Sequence, residues 1–268
     1  MGIRDIYNIL TIKHPNVFDE CKIKDFHGKT IVIDILTYLY KYIRSVGEEE
    51  WINYVLLLFY KLRKYDINII CIFDGKNYPI EKRNEHEKRS ANIKKIEEKH
   101  KKIMDLKKDF LKNNDESLEL YIEKVNNIIT KRNKSYILDS KSITKDKFLK
   151  IIYEIETKLK KQCLKVTQTH FDILKELIVN LNIQYIIADG EAEKLCSYLC
   201  INGIVDAVLS EDSDVLAYGT PTFIFRINLK KESITVININ KLLNDISLNL
   251  LEFQDFCILC GCDYNSRI

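Results

Sequence analysis

Seven acidic residues, Asp34, Asp74, Glu191, Glu193, Asp212, Asp214 and Asp263, fall where short apolar runs or turns end. Four of them form i,i+2 pairs, in Asp189-Gly-Glu-Ala-Glu193 and Ser210-Glu-Asp-Ser-Asp214. So many carboxylates in one place repel each other unless divalent cations neutralise them. Mg2+ takes oxygen ligands, keeps several waters, and is held by a few carboxylates together with substrate phosphate. Two such ions about 4 Å apart activate an attacking water and stabilise the leaving oxygen of an in-line displacement. The chemistry predicted by these residue types is metal-dependent hydrolysis of phosphodiesters.

The elements that must position them are readable from apolar patterning. Residues 30–34 read as a short buried strand ending in Asp34, and 68–74 repeat that pattern before Asp74-Gly75. Residues 35–64 are apolar at helical spacing, with Gly47 marking a break between two helices. Further on, 167–181 predicts an amphipathic helix, 184–188 a strand, and a helix follows from about Glu191 with Asp189 as its N-cap. A buried strand over 206–210, a hairpin over 223–238 and a last helix over 250–260 that delivers Asp263 complete the series. Short apolar strands alternating with helices predict an α/β fold, a mostly parallel sheet with helices on both faces. Ligands bind such sheets outside the carboxyl ends of the strands. That edge is where the strand-end carboxylates should converge. Any one of them alone is adequately explained as a turn former.

Charge is unevenly distributed. Residues 82–165 carry 24 Lys/Arg against 14 Asp/Glu, while the rest carries 18 against 25. A basic segment on an acidic body suits a protein that holds a polyanion while metal ions act elsewhere; a solvated helical hairpin has the same composition. Asn113-Asn114 and Asn126-Asn127 predict turns within that segment. Lys82 and Arg89, seven apart on a helix beginning after Pro79, are placed to meet a scissile phosphate and offset developing charge.

The 8 Cys lie mostly in apolar stretches, which predicts core thiols and a reducing compartment rather than a disulfide framework. The run Cys257-Ile-Leu-Cys260-Gly-Cys262 lacks a second pair of zinc ligands. With no signal peptide and no 18-residue apolar run, a soluble chain without membrane partners is expected. An intracellular compartment is expected.

In order along the chain stand Met1-Gly2-Ile3, Ile33-Asp34, Phe73-Asp74-Gly75-Lys76, Lys88-Arg89-Ser90, Glu191-Ala192-Glu193, Glu211-Asp212-Ser213-Asp214 and Gly261-Cys262-Asp263-Tyr264. This ordered set resembles the flap endonuclease family, the xeroderma pigmentosum G-type structure-specific 5′ nucleases. The resemblance implies a PIN-like nuclease domain over 1–268, with 82–165 as a basic helical arch. It implies that Asp34, Asp74, Glu191, Glu193, Asp212, Asp214 and Asp263 form the metal site for two Mg2+ ions, with Mn2+ as a substitute. Lys82 and Arg89 match the family's basic pair at the base of the arch, and Gly2 matches an N-terminal residue near the active site. Tyr40 resembles the aromatic residue on which the substrate's terminal base pair stacks; packing on a helix face is its other reading. The implied partner is DNA with a 5′ flap or junction, cut endonucleolytically or degraded 5′ to 3′ during replication or repair.

Three departures modify that expectation. Asp34 and Asp74 are only 40 residues apart, and the stretch from Asp74 to Glu191 is correspondingly long, which predicts an enlarged or rebuilt arch. The family's Gly-rich helix–two-turn–helix is not seen after Asp263, nor is a sliding-clamp peptide, so weaker duplex grip is expected if Ile268 is the natural end. Two rivals stand beside this reading. One is a 5′–3′ exoribonuclease-like enzyme, and the other is a non-catalytic nucleic-acid-binding protein.

Overall fold

The computed structural model describes residues 2–77, 81–112, 117–129 and 143–265, with only the backbone for 81–89. Contacts divide the chain into two compact units, one of Met1–Tyr42, Glu49–His86 and Val166–Ile268, the other of Ile43–Glu48 and Glu87–Lys165. The second unit approximates the basic segment marked by composition.

The elements run α1 (Ile6–Lys13), β1 (Phe18–Lys22), β2 (Thr30–Asp34), α2 (Ile35–Val46), α3 (Trp51–Arg63) and β3 (Asn68–Phe73). Then come α4 (Glu81–Lys112), α5 (Leu118–Ile128), α6 (Lys145–Gln162), α7 (Gln168–Asn180), β4 (Gln184–Ile187) and α8 (Ala192–Ile201). The series ends with β5 (Ala207–Leu209), α9 (Asp214–Ala217), β6 (Thr222–Asn228), β7 (Ser233–Asn238), α10 (Ile239–Ile246) and α11 (Leu250–Cys260).

In the first unit seven strands form one sheet, ordered β1-β7-β6-β5-β2-β3-β4. Strands β6, β5, β2, β3 and β4 are mutually parallel, and β7 and β1 are added antiparallel. The expected α/β architecture is therefore present, as a mixed sheet. The parallel strands form because Ile31-Val32-Ile33, Ile69 to Phe73 and Ala207-Val208-Leu209 are continuous apolar runs, buried at nearly every position. Helix α8 packs on β2, β3 and β5. Its buried Cys196, Leu199 and Cys200 join Val32, Ile72 and Val208 in the core.

Helices α1, α9 and α10 and strand β1 were not foreseen. Helix α1 enters the core through Ile6 and Leu10, and the ring of Tyr7 stacks on Phe225 at 4.9 Å. Strand β1 reads Phe-Asp-Glu-Cys-Lys, with no buried run to reveal it, and exists by pairing with β7. Strand β4 is a correction of another kind: as the sheet's last strand it is exposed throughout rather than covered.

The second unit has its own apolar core. Ile103, Leu106 and Phe110 of α4, Tyr121, Ile122 and Val125 of α5, and Phe148, Ile152 and Ile155 of α6 are buried together. Phe110 meets Tyr121 and Phe148 edge-on, with ring centroids 5.0 and 4.9 Å apart. Each helix presents these residues at three- and four-residue intervals, a stripe hidden in sequence by Lys and Glu on the remaining faces. Asn126 and Asn127 close α5 rather than forming a turn, because burial of Tyr121, Ile122 and Val125 carries the helix past them. Asn113-Asn114 lie outside the described residues.

The β6–β7 turn is tied to α3 by one carboxylate. Glu232 accepts from Lys61, Tyr65 and Lys64, the last at 3.0 Å. The Lys61 contact, then those of Tyr65 and Lys64, lower its carboxyl to about 2. A lowered carboxyl pKa adds stability above the unfolded value near 4.3 and loses it as pH falls toward the folded value. Glu232→Gln is therefore expected to lower the melting temperature at pH 7. The gap to wild type should close between about pH 5 and pH 2, and shrink in 1 M salt.

Candidate metal centre

Strands β2 and β3 run parallel in register, Asp34 opposite Ile72, so Asp34 and Asp74 leave the sheet at the same edge. Asp34 directly precedes α2. Its Oδ1 accepts from the backbone N–H of Thr37 at 3.4 Å, and its Oδ2 from Thr37 Oγ1 at 2.5 Å and Ser210 Oγ at 3.0 Å. Ser210 Oγ also accepts from the backbone N–H of Asp212 at 3.1 Å, which ties the end of β2 to the loop after β5. Within that loop Asp212 Oδ1 accepts from the N–H of Asp214 at 3.1 Å.

Asp74 does something its sequence position does not suggest. Its Oδ1 accepts from the N–H of Ala192, the first residue of α8, at 2.8 Å. This corrects the expected N-cap. Glu191, not Asp189, occupies the cap position, without a side-chain capping bond. Asp189 instead accepts from Asn77 Nδ2 at 2.7 Å. The helix N-terminus thus draws a carboxylate from another strand, as its partial positive charge favours.

The backbones beyond β3 and β4 are in close apposition. Ala188 donates to Phe73 O at 2.9 Å and Gly75 to Gly190 O at 2.7 Å. Glycine is required at 75 by space, since a Cβ there would sit 2.1 Å from Ala188 O.

Asp34, Glu191, Glu193, Asp212 and Asp214 are each buried, between 4% and 6% exposed, while Asp74 and Asp263 are half-buried. Burial raises the carboxyl of Asp34 to about 6, opposed by the Thr37 hydroxyl and reinforced by the charges of Asp74 and Asp212. A carboxyl raised in the fold costs stability as pH climbs from the unfolded to the folded pKa. In metal-free buffer at pH 7.5, Asp34→Asn is therefore expected to melt higher than wild type. The gain should be on the order of 2 kcal/mol, since one pKa unit is about 1.4 kcal/mol and an amide keeps only part of the hydrogen bonding. Melts repeated down to pH 4 should show the advantage vanish.

The N-terminus adjoins the same loop. Ile3 N donates to Ser213 Oγ at 2.7 Å, and Arg4 N to Gly261 O at 2.9 Å. Gly2, at φ 80°, is so close that an added Cβ would lie 2.3 Å from Asp212 Oδ1. Asp263 follows α11, and its neighbour Tyr264 donates to Glu191 Oε2, as does Tyr218 at 3.2 Å. Burial, then the Glu191 contact, hold the Tyr264 phenol well above its ordinary pKa, and burial raises Tyr218 as well. Beside the loop, Lys41 pairs with Glu211, and both line an open cleft of about 400 Å3 together with Arg226 and Lys231.

Hydrogen bonds thus join the ends of β2 and β5 and those of β3 and α8, while Gly2 and Ile3 lie against the Asp212–Asp214 loop. Tyr40 is half-buried with its ring edge-on to Phe171 at 6.5 Å, a packing contact on α7. Lys82 and Arg89 fall within α4, and their side chains lie outside the described residues. Thr37, Ser210, Tyr218 and Tyr264 were not foreseen. Ser210 and Tyr264 at least stand inside the quoted motifs, whereas nothing local marks Tyr218.

The donor set fits hard divalent cations, being all carboxylate oxygen. Among the described residues no three Asp, Glu, His or Cys side chains form a ready cage. Mg2+ needs none, since it keeps waters and completes its shell with substrate phosphate. The cysteines do not compete: all are thiols rather than disulfide partners, Cys71, Cys196, Cys200, Cys257 and Cys260 are buried, and burial raises Cys257 to about 12. No helix among the described residues is long and apolar enough to cross a membrane.

The site is thus a mixed α/β sheet with buried carboxylates along the ends of its parallel strands, an edge whose oxygens are of the kind divalent cations take. The XPG N-terminal domain model matches residues 1–96, and the XPG I-region model matches 182–263. The chain belongs to the XPG family of endonucleases. It is 30% identical over 291 residues to the probable RAD2-like endonuclease 076L of Invertebrate iridescent virus 3, covering all of this chain and 75% of that protein. To flap endonuclease 1 of Brugia malayi it is 27% identical over 283 residues, spanning 63% of that protein's length. The fold is shared with the catalytic core of Rad2 in complex with DNA substrate, at TM-score 0.63 and 16% identity over 100% of this chain and 64% of that one. It is also shared with flap endonuclease-1 from Methanococcus jannaschii, at TM-score 0.54 and 24% identity over 92% and 69%.

Proposed function

We propose that this protein is a divalent-metal-dependent, structure-specific 5′ nuclease that hydrolyses DNA at 5′-flap or junction structures. Its place of work on this reading is a reducing compartment where DNA is replicated or repaired. The observation that carries the proposal is the burial of five carboxylates at one sheet edge, with Asp34 raised to about 6 by that burial. An edge so built is costly until cations and a phosphate arrive.

Asp34 and Asp74 each commit an oxygen to a helix N-terminus, which fixes their direction. Glu191 and Glu193 open α8, Asp212 lies in the loop after β5, Asp214 opens α9, and Ser210 and Ser213 pin that segment. On this reading those six and Asp263 hold Mg2+ or Mn2+, some through water. Bound there, the ions supply a water of lowered pKa and a counter-charge for the leaving oxygen. Lys82 and Arg89 are assigned to the scissile phosphate, Gly2 to the close approach beside Asp212, and Tyr40 to stacking on the terminal base pair. Lys41, Arg226 and Lys231 bring positive charge beside the acidic edge, where a polyanion needs it.

The test is cleavage of a 5′-labelled double-flap DNA in Mg2+ or Mn2+, against matched single-stranded DNA and the RNA equivalent. Metal-dependent cutting at the junction is expected. Degradation regardless of junction, preference for RNA, or no cutting by folded protein in either metal would each refute the assignment.

A further inference from the structure

Glu191 carries two phenols on a single oxygen. Tyr218, which caps the short α9, and Tyr264, just past Asp263, both donate to Oε2. The two phenols also interact with each other. They reach Glu191 from separate segments, 27 and 73 residues away, so neither contact follows from local geometry. A surface glutamate explores several rotamers. This one is 6% exposed, fixed at its backbone by the N-cap of α8, and held at one oxygen from two directions.

We infer that Tyr218 and Tyr264 are positioning residues, a paired phenol clamp that commits Oε2 of Glu191 and presents Oε1 for cation ligation. Outer partners that orient a ligating carboxylate typically contribute 10–100-fold to metal affinity. Both phenols serve as donors here, because a tyrosine hydroxyl facing a carboxylate gives its hydrogen to it. The clamp also joins three parts of the edge, the N-terminus of α8, the end of α9 and the segment after α11. A cation ligated through Glu191 is thereby coupled to the placement of Asp214 and Asp263, each of which precedes one of the two tyrosines in sequence.

This role presupposes the cation-binding reading of the acidic edge, and the two fail differently. Tyr218→Phe, Tyr264→Phe and the double variant keep the rings and remove only the hydroxyls. Mn2+ affinity is measured by calorimetry on the DNA-free protein, alongside the melting temperature in EDTA. Each single variant is expected to bind Mn2+ about tenfold more weakly and the double variant up to 100-fold, while still melting as a folded protein in EDTA. In a Glu191→Ala background the same changes should have no further effect on Mn2+ binding. Undiminished Mn2+ affinity in the double variant, with wild type binding normally, overturns the clamp. So does an equal loss in the Glu191→Ala background. Wild type that binds no Mn2+ and cuts no flap overturns the nuclease reading, and the clamp with it.

Discussion

Changing Asp212 and Asp214 together to asparagine is expected to abolish junction cleavage while leaving a protein at least as stable as wild type in metal-free buffer. Both carboxylates are buried, and Asp212 adds its charge to the field that raises Asp34. Removing two negative charges relieves that repulsion, so melting in EDTA should rise, as for Asp34→Asn. The same change removes oxygen donors that would hold the cations. A loss of about a thousandfold or more in single-turnover rate is expected, equivalent to roughly 4 kcal/mol of transition-state stabilisation. The opposite movement of activity and stability is the diagnostic result. A variant that lost activity together with metal-free stability would mark Asp212 and Asp214 as structural groups. One that kept cutting would remove them from the site.

Gly75→Ala is expected to cost both stability and metal binding, for a steric reason. The added methyl would lie 2.1 Å from Ala188 O and 2.4 Å from Asp189 O, and both obstacles are backbone. Neither can rotate away, so the strands after β3 and β4 must part. Overpacking of this kind costs about 3 kcal/mol, which in a chain of this size lowers the melting temperature by roughly 6–12 °C. Parting also stretches the 2.8 Å bond from Ala192 N to Asp74 and shifts Glu191 at the helix start. Mn2+ affinity measured well below the melting point should therefore fall as well. Gly75→Ala with wild-type melting would refute the close apposition, and unchanged Mn2+ affinity would separate it from the site. Gly28 is the natural control, because a Cβ there meets nothing within 4 Å, although its φ of 72° adds backbone strain of its own.

The amino-acid sequence by itself determined the frame and the donor types at its edge. Asp and Glu supply hard anionic oxygens, and a parallel strand covered on both faces reads as a continuous apolar run, as at Ile31-Val32-Ile33 and Ala207-Val208-Leu209. Both signals are local, so strand-end Asp34 and Asp74 and the edge they share are legible from residue order alone. Tertiary structure alone decided what lies across the chain. Strand β1 carries no apolar run of its own and is a strand only because β7 offers it a partner. The core of the second unit was masked by the Lys and Glu that surround its stripes. Asp74 caps a helix 118 residues away, and Tyr218 and Tyr264 meet on Glu191 from the ends of α9 and α11. Periodicity reports which face of its own element a residue occupies. The identity of the group facing it depends on how distant segments are brought together, and no local pattern encodes that.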